Sequence, residues 1–172
     1  MRALRWLALA PAFAAALVAC ADTTLPGNPV GSFKVTGTIQ TNSCGAGLSP
    51  PNPWSFTVAL SRQRSTLYWS TLDGSPMLSG AIDANLAASI TEANSANVDS
   101  TDAGAGPCDM ARNDTIKITL GAGVPTPSFS GTMQYDFSAA AGADCADQLS
   151  AAGGMYATLP CTVTYALAAT RE

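Results

Sequence analysis

Apolar and polar residues alternate along most of this chain. Phe33, Val35, Gly37 and Ile39 alternate with Lys34, Thr36, Thr38 and Gln40, and Trp54, Phe56, Val58 and Leu60 alternate with Ser55, Thr57, Ala59 and Ser61. A period of two gives a β-strand one buried and one solvated face, because successive side chains point to opposite sides. The pattern returns in Ile116, Ile118 and Leu120, in Phe129, Gly131, Met133, Tyr135 and Phe137, and in Leu159, Cys161, Val163, Tyr165 and Leu167. Two shorter strands, Leu67 to Ser70 and Met77 to Ile82, flank an Asp73-Gly74 turn. Leu86 to Thr91 reads two ways. Ile82, Leu86 and Ile90 recur every four residues among alanines, which also fits a helix opened by Asp83; the strand is the preferred reading.

With that strand included, eight antiparallel segments follow one another as a meander, and the last runs antiparallel to the first, as closing a barrel requires. The predicted fold is therefore all-β, a small closed up-and-down barrel, with a two-sheet sandwich of the same strands as its rival. Three glycines in inward phase, Gly37, Gly80 and Gly131, favour the barrel, since strands coil sharply where no side chain intervenes.

Numbering the strands alternately up and down brings Cys44, Cys108, Cys145 and Cys161 to one end, together with the long loops 41–53, 93–108 and 138–158. Short turns occupy the other end. These four cysteines form an even set with no CxxC pair and no histidine beside them, which points to two structural disulfides in an oxidising compartment rather than a metal site. Sequence allows three pairings. The expected one is Cys145 with Cys161, a local clamp, and Cys44 with Cys108, tying the first strand's exit to the middle loop.

The N-terminus has the three parts of a secretory signal: basic Arg2 and Arg5, an apolar run from Trp6 to Val18, and small residues at the exit. The run is shorter than a membrane span needs. At the exit, Leu17-Val18-Ala19-Cys20 resembles the lipobox of bacterial lipoproteins. The resemblance implies that residues 1–19 are removed and that Cys20 carries lipid. Several acyl chains on one residue make a durable anchor, where a single chain binds only marginally. It further implies a place in the cell envelope, at the outer membrane because Ala21 rather than Asp follows Cys20. Residues 20–30, rich in Pro, Gly, Thr and Asn, are expected to form a flexible stalk, and residues 31–172 a single β domain.

Loss of Arg2 and Arg5 takes the eight basic residues to six against twelve acidic ones, leaving a formal charge near minus six and arguing against a nucleic-acid partner. The charges also segregate. Asp73, Asp99, Asp102, Asp109, Asp114, Asp136, Asp144 and Asp147 fall toward the cysteine end, with Arg112 nearly alone among them. Lys34, Arg62, Arg64 and Arg171 fall at the other end, where the stalk enters, so the basic end is expected to face anionic lipid.

Candidate chemistry is sparse. With no histidine, no G-x-S-x-G elbow and no phosphate-cradling glycine loop, acyl transfer, zinc hydrolysis and nucleotide chemistry lack their parts, and no catalytic residue or cofactor is expected. Asp99, Asp102 and Asp109 lack the ligand spacing of a calcium loop, and Asp144 with Asp147 is a weak acid/base pair. Inward Trp54, Phe56, Trp69, Tyr135, Phe137 and Tyr165 either line a pocket at the loop end or fill it; a filled interior is the preferred expectation. Gly31-Ser32-Phe33, with Arg171 after the last strand, resembles the G-x-W opening of lipocalin-like barrels, with Phe in place of Trp; the resemblance implies at most a shared fold, not shared ligands. The sequence thus supports a non-catalytic binding or interaction module presenting braced loops to an envelope partner. Its alternatives are a structural surface lipoprotein with a filled core and a carrier of a small apolar ligand.

Overall fold

A computed structural model of the chain describes residues 25–98 and 108–172. The signal segment, Cys20, Asp99 and Asp102 lie outside the described residues. Eight strands follow in order: β1 (Asn28–Asn42), β2 (Trp54–Gln63), β3 (Thr66–Thr71), β4 (Leu78–Ile82), β5 (Ala87–Val98), β6 (Cys108–Leu120), β7 (Ser128–Ala139) and β8 (Cys161–Arg171). Each pairs antiparallel with its neighbour in sequence, and β1 pairs with β8, so the sheet is a closed barrel and not a sandwich.

The inward phase is the one the alternation predicts. Phe33, Val35, Val58, Leu60, Leu67, Trp69, Ile90, Val163 and Tyr165 are all nearly inaccessible to solvent. Fully burying such a side chain contributes about 1.5–3 kcal/mol, which makes this interior the main source of stability. Outward positions such as Lys34, Thr36, Lys117, Thr119 and Thr170 stay in water or only half covered. This is the reverse of a membrane-spanning barrel, whose apolar band faces out. Among the described residues, no helix is long and apolar enough to cross a membrane.

The segment 86–91 is a strand, with one adjustment. Leu86 sits outside it in a left-handed turn at φ 63°, and the Asp83 carboxylate accepts the N–H groups of Asn85 (2.8 Å) and Ala87 (2.9 Å). The four-residue spacing arises because Ile82 and Ile90 face the core from neighbouring strands with the turn between them.

Strands reach into two regions expected to be irregular. Residues 93–98 belong to β5 and Cys108 begins β6, so the described ends of the expected loop 93–108 are paired strand, in register from Glu92↔Asp114 to Val98↔Cys108. Alternation could not reveal it, since Glu92 to Asn97 are polar or alanine and mostly exposed. At the other end, β1 begins at Asn28, inside the expected stalk. Ser61 Oγ donates to the Pro26 carbonyl at 2.6 Å and fastens this entry to β2.

The walls of the barrel are unequal. β5, β6, β7, β8 and β1 run 11 to 15 residues, whereas β3 has six and β4 five. The β4–β5 register ends at Gly80↔Ile90, so among the described residues β5 rises beyond it without a partner strand on that side. The cysteine end therefore opens sideways over a low β3–β4 wall.

Candidate binding site

All four cysteines meet at the open end, but not in the expected pairs. The disulfides are Cys44–Cys161 and Cys108–Cys145, with Cα atoms 4.9 and 4.8 Å apart. Barrel closure explains the first. β1 and β8 are neighbours, their register runs to Asn42↔Val163, and Ser43 N–H continues the ladder to the Thr162 carbonyl, leaving Cys44 beside Cys161. The second follows from the β6–β7 hairpin. Ala140 N–H donates to the Asp109 carbonyl, and the chain turns back over the start of β6 to deliver Cys145. Sequence proximity of Cys145 and Cys161 was the wrong guide, because the intervening loop carries Cys145 to a different strand.

Five of the six aromatic residues converge as the alternation implies, within a chain of ring contacts that also takes in Phe33 and Phe129. From the floor it passes Phe33–Phe129 (5.3 Å), Trp69–Phe129 (5.8 Å), Phe56–Trp69 (6.2 Å), Trp54–Phe56 (4.4 Å), Trp54–Tyr165 (5.6 Å) and Tyr135–Tyr165 (6.3 Å). Phe137 stands off this line, against Tyr156. Trp69 and Tyr165 are fully buried, while Trp54, Phe56, Tyr135 and Phe137 are partly exposed. The interior is thus filled toward the short-turn end, and partly exposed aromatic residues border hollows at the cysteine end.

Two hollows share Trp54, Arg112 and Tyr135 in their walls. One, of about 320 Å³, is apolar and bounded by Leu48, Pro51, Phe137, Val163 and Tyr165. The other, of about 310 Å³, lies behind the low wall and adds Trp69, Asp73, Glu92, Asn94 and Asp114. Arg112 stands between them. Its guanidinium makes two parallel hydrogen bonds to Asp114, both 2.8 Å, and lies 5.3 Å from the Tyr135 ring centre. Asp114 is only 8% exposed. Burial pushes its carboxyl above the usual range, while Arg112 pulls it back. Burial, reinforced by the Asp114 charge, pushes the Tyr135 phenol far up. At the rim, the Ser75 N–H holds Asp73 below the usual range.

No known protein-family model, curated protein or solved structure matches this chain.

Glu92, Asn94, Arg112 and Asp114 were missed as site residues, although Arg112 and Asp114 stood out as charges at this end. The signal was present: Asp114 and Arg112 continue the phase of Ile118 and Ile116, and Glu92 that of Ile90. Ending both strands at the last apolar residue concealed it.

The other candidates do not gather. Asp144 accepts from the Ala146 N–H and Asp147 from the Gln148 side chain, both local bonds within the β7–β8 connection. Asp109 accepts from Asn97, and among the described residues no three acidic, cysteine or histidine side chains converge as a metal would require. Arg171 packs against Gly31, whose added Cβ would lie 2.6 Å from the guanidinium, so the opening tripeptide and the terminal arginine do meet.

Proposed function

We propose that this chain is a lipid-anchored envelope protein whose barrel is a non-catalytic binding module, taking a small molecule with an apolar body and a positively charged group. The observation that carries the reading is the open hollow in which Trp54, Trp69 and Tyr135 share walls with Asp73, Glu92 and Asp114, against the single cation Arg112, itself engaged by Asp114. Aromatic faces attract cations through their negative quadrupole, and desolvation inside a hollow strengthens the attraction. The negative charge gathered at this end would also steer a cation inward. Anchoring rests on Cys20 and on disulfides that suit an exported chain.

Titration of tryptophan fluorescence with benzyltrimethylammonium, and in parallel with phenylacetate, tests the ligand class. Saturable quenching by the cation alone is expected. Preference for the anion would overturn the charge assignment, and silence with both would overturn the binding role. Palmitate labelling of the wild type beside Cys20→Ala tests the anchor, and an unlabelled wild type would remove it. A native mass spectrum showing copurified neutral lipid would instead favour the apolar hollow and a carrier role.

A further inference from the structure

The end of the barrel opposite the mouth carries a second concavity, of about 490 Å³, formed by the first residues of β1, the β2–β3 turn and the β6–β7 turn. Arg62, Arg64 and Arg171 line it, and no carboxylate does. Among the described residues none of the three makes an ion pair. Val124 stands beside them at the tip of the β6–β7 turn with its side chain wholly in water, an unusual place for a β-branched apolar residue.

Local bonds hold two of the arginines in place. Arg62 Nε donates to the Arg64 carbonyl at 2.8 Å, and Arg171 donates to the carbonyls of Val30 (2.7 Å) and Thr126 (3.2 Å). The groove is thus a braced cationic surface with one apolar tip.

The chain enters the barrel beside this groove. Gly27 has φ +82°, and a Cβ there would lie 2.4 Å from the Arg62 carbonyl oxygen, so the entering backbone is pressed against the arginine-bearing hairpin. Four residues lie between Cys20 and Leu25, and an extended chain covers at most about 3.6 Å per residue, so a lipid on Cys20 lies within about 18 Å of Leu25, three positions before the groove-lining Asn28. The arginines then fall where phosphate headgroups are.

We propose that this groove docks on anionic phospholipid, with Arg62 and Arg64 on headgroup phosphates and Val124 entering the interface, which fixes the barrel upright with its mouth facing away from the membrane. The proposal takes only the tether from the lipoprotein reading; the groove's chemistry stands without it.

The test uses the chain from Ala21, exported behind a cleavable leader, which retains every described residue and both disulfides. It is sedimented with vesicles of phosphatidylcholine and with vesicles enriched in phosphatidylglycerol. Binding is expected only to the anionic vesicles and should weaken as salt rises. Arg62→Gln and Arg64→Gln should each lower partitioning by about five-fold, the worth of one basic residue at an anionic surface. Val124→Ser should lower it further, and Lys117→Gln, on the outer wall, should leave it unchanged. Circular dichroism melts confirm that each variant is folded. Equal binding to both vesicles, or indifference to the Arg62 and Arg64 substitutions, overturns the proposal. So does saturable binding of inorganic phosphate alone, which would assign the groove to a free anion. Because this chain carries no lipid, failure here is distinct from failure of palmitate labelling.

Discussion

Glu92 stands directly opposite Asp114 across the β5–β6 pair, and both line the same hollow. Like charges directly opposite each other in a sheet are destabilising, by the order of 0.2–1 kcal/mol. Arg112 is bonded to Asp114, and among the described residues Glu92 makes no ion pair. Glu92→Gln should therefore raise the melting temperature by about 1–3 °C at neutral pH, while weakening the binding of benzyltrimethylammonium. A calorimetric scan and a fluorescence titration on one preparation check both, and unchanged affinity would count against the cation site.

The Arg112–Asp114 pair gives a pH signature. Arg112→Met leaves the buried Asp114 carboxylate without its cation, at a cost of about 2 kcal/mol, reduced from that of a fully buried pair because the Arg112 side chain is 45% exposed. The Asp114 carboxyl is raised by burial, so the folded state holds its proton more tightly than the unfolded state does. Its contribution to stability therefore improves as pH falls from neutral through the folded value toward 3.8. The deficit of Arg112→Met should be largest at neutral pH and shrink on acidification; urea melts along a pH series read it directly.

Non-reducing peptide mapping should return Cys44 with Cys161 and Cys108 with Cys145. The bridges span 117 and 37 positions, so chain-entropy estimates give roughly 5 and 4 kcal/mol for their removal. The Cys44→Ser/Cys161→Ser double variant should lose more stability than Cys108→Ser/Cys145→Ser. The reverse order would mean that the β1–β8 ladder holds the seam unaided.

Gly131 lies so close to its neighbour that an added Cβ would sit 2.0 Å from the Lys117 carbonyl oxygen, a backbone atom that cannot swing away. Gly131→Ala should cost about 2–3 kcal/mol, seen as a lowered denaturant midpoint with an unchanged slope. Gly142, at φ +83° with open space around it, provides the contrast: its alanine variant should lose only about 1 kcal/mol, from the left-handed backbone.

The strands were legible wherever one face met the core, as in Phe33 to Ile39 or Ile116 to Leu120. The upper halves of β5 and β6 were not, because Glu92 to Asn97 rise past the core and have no apolar face to mark a period. The aromatic lining was legible from phase alone. The charged part of the hollow was hidden by the habit of ending a strand where its apolar residues end. The expected closure already set the first strand beside the last, and the Cys44–Cys161 bridge follows from it; the expected pairing instead relied on how near Cys145 and Cys161 lie along the chain.

Closing a sheet into a ring ordinarily removes every free edge, yet the short β4 leaves Thr91 to Val98 without a partner strand on one side among the described residues. Such a border invites another chain to add itself as a strand, which is how many β proteins come to aggregate. Here the exposed run is Thr-Glu-Ala-Asn-Ser-Ala-Asn-Val, poor in the branched and aromatic residues that hold a neighbouring strand and bearing a carboxylate near its base. The composition that hid this stretch from the periodicity also keeps its border from recruiting other molecules. The barrel can thus keep a side entrance without becoming a seed for assembly.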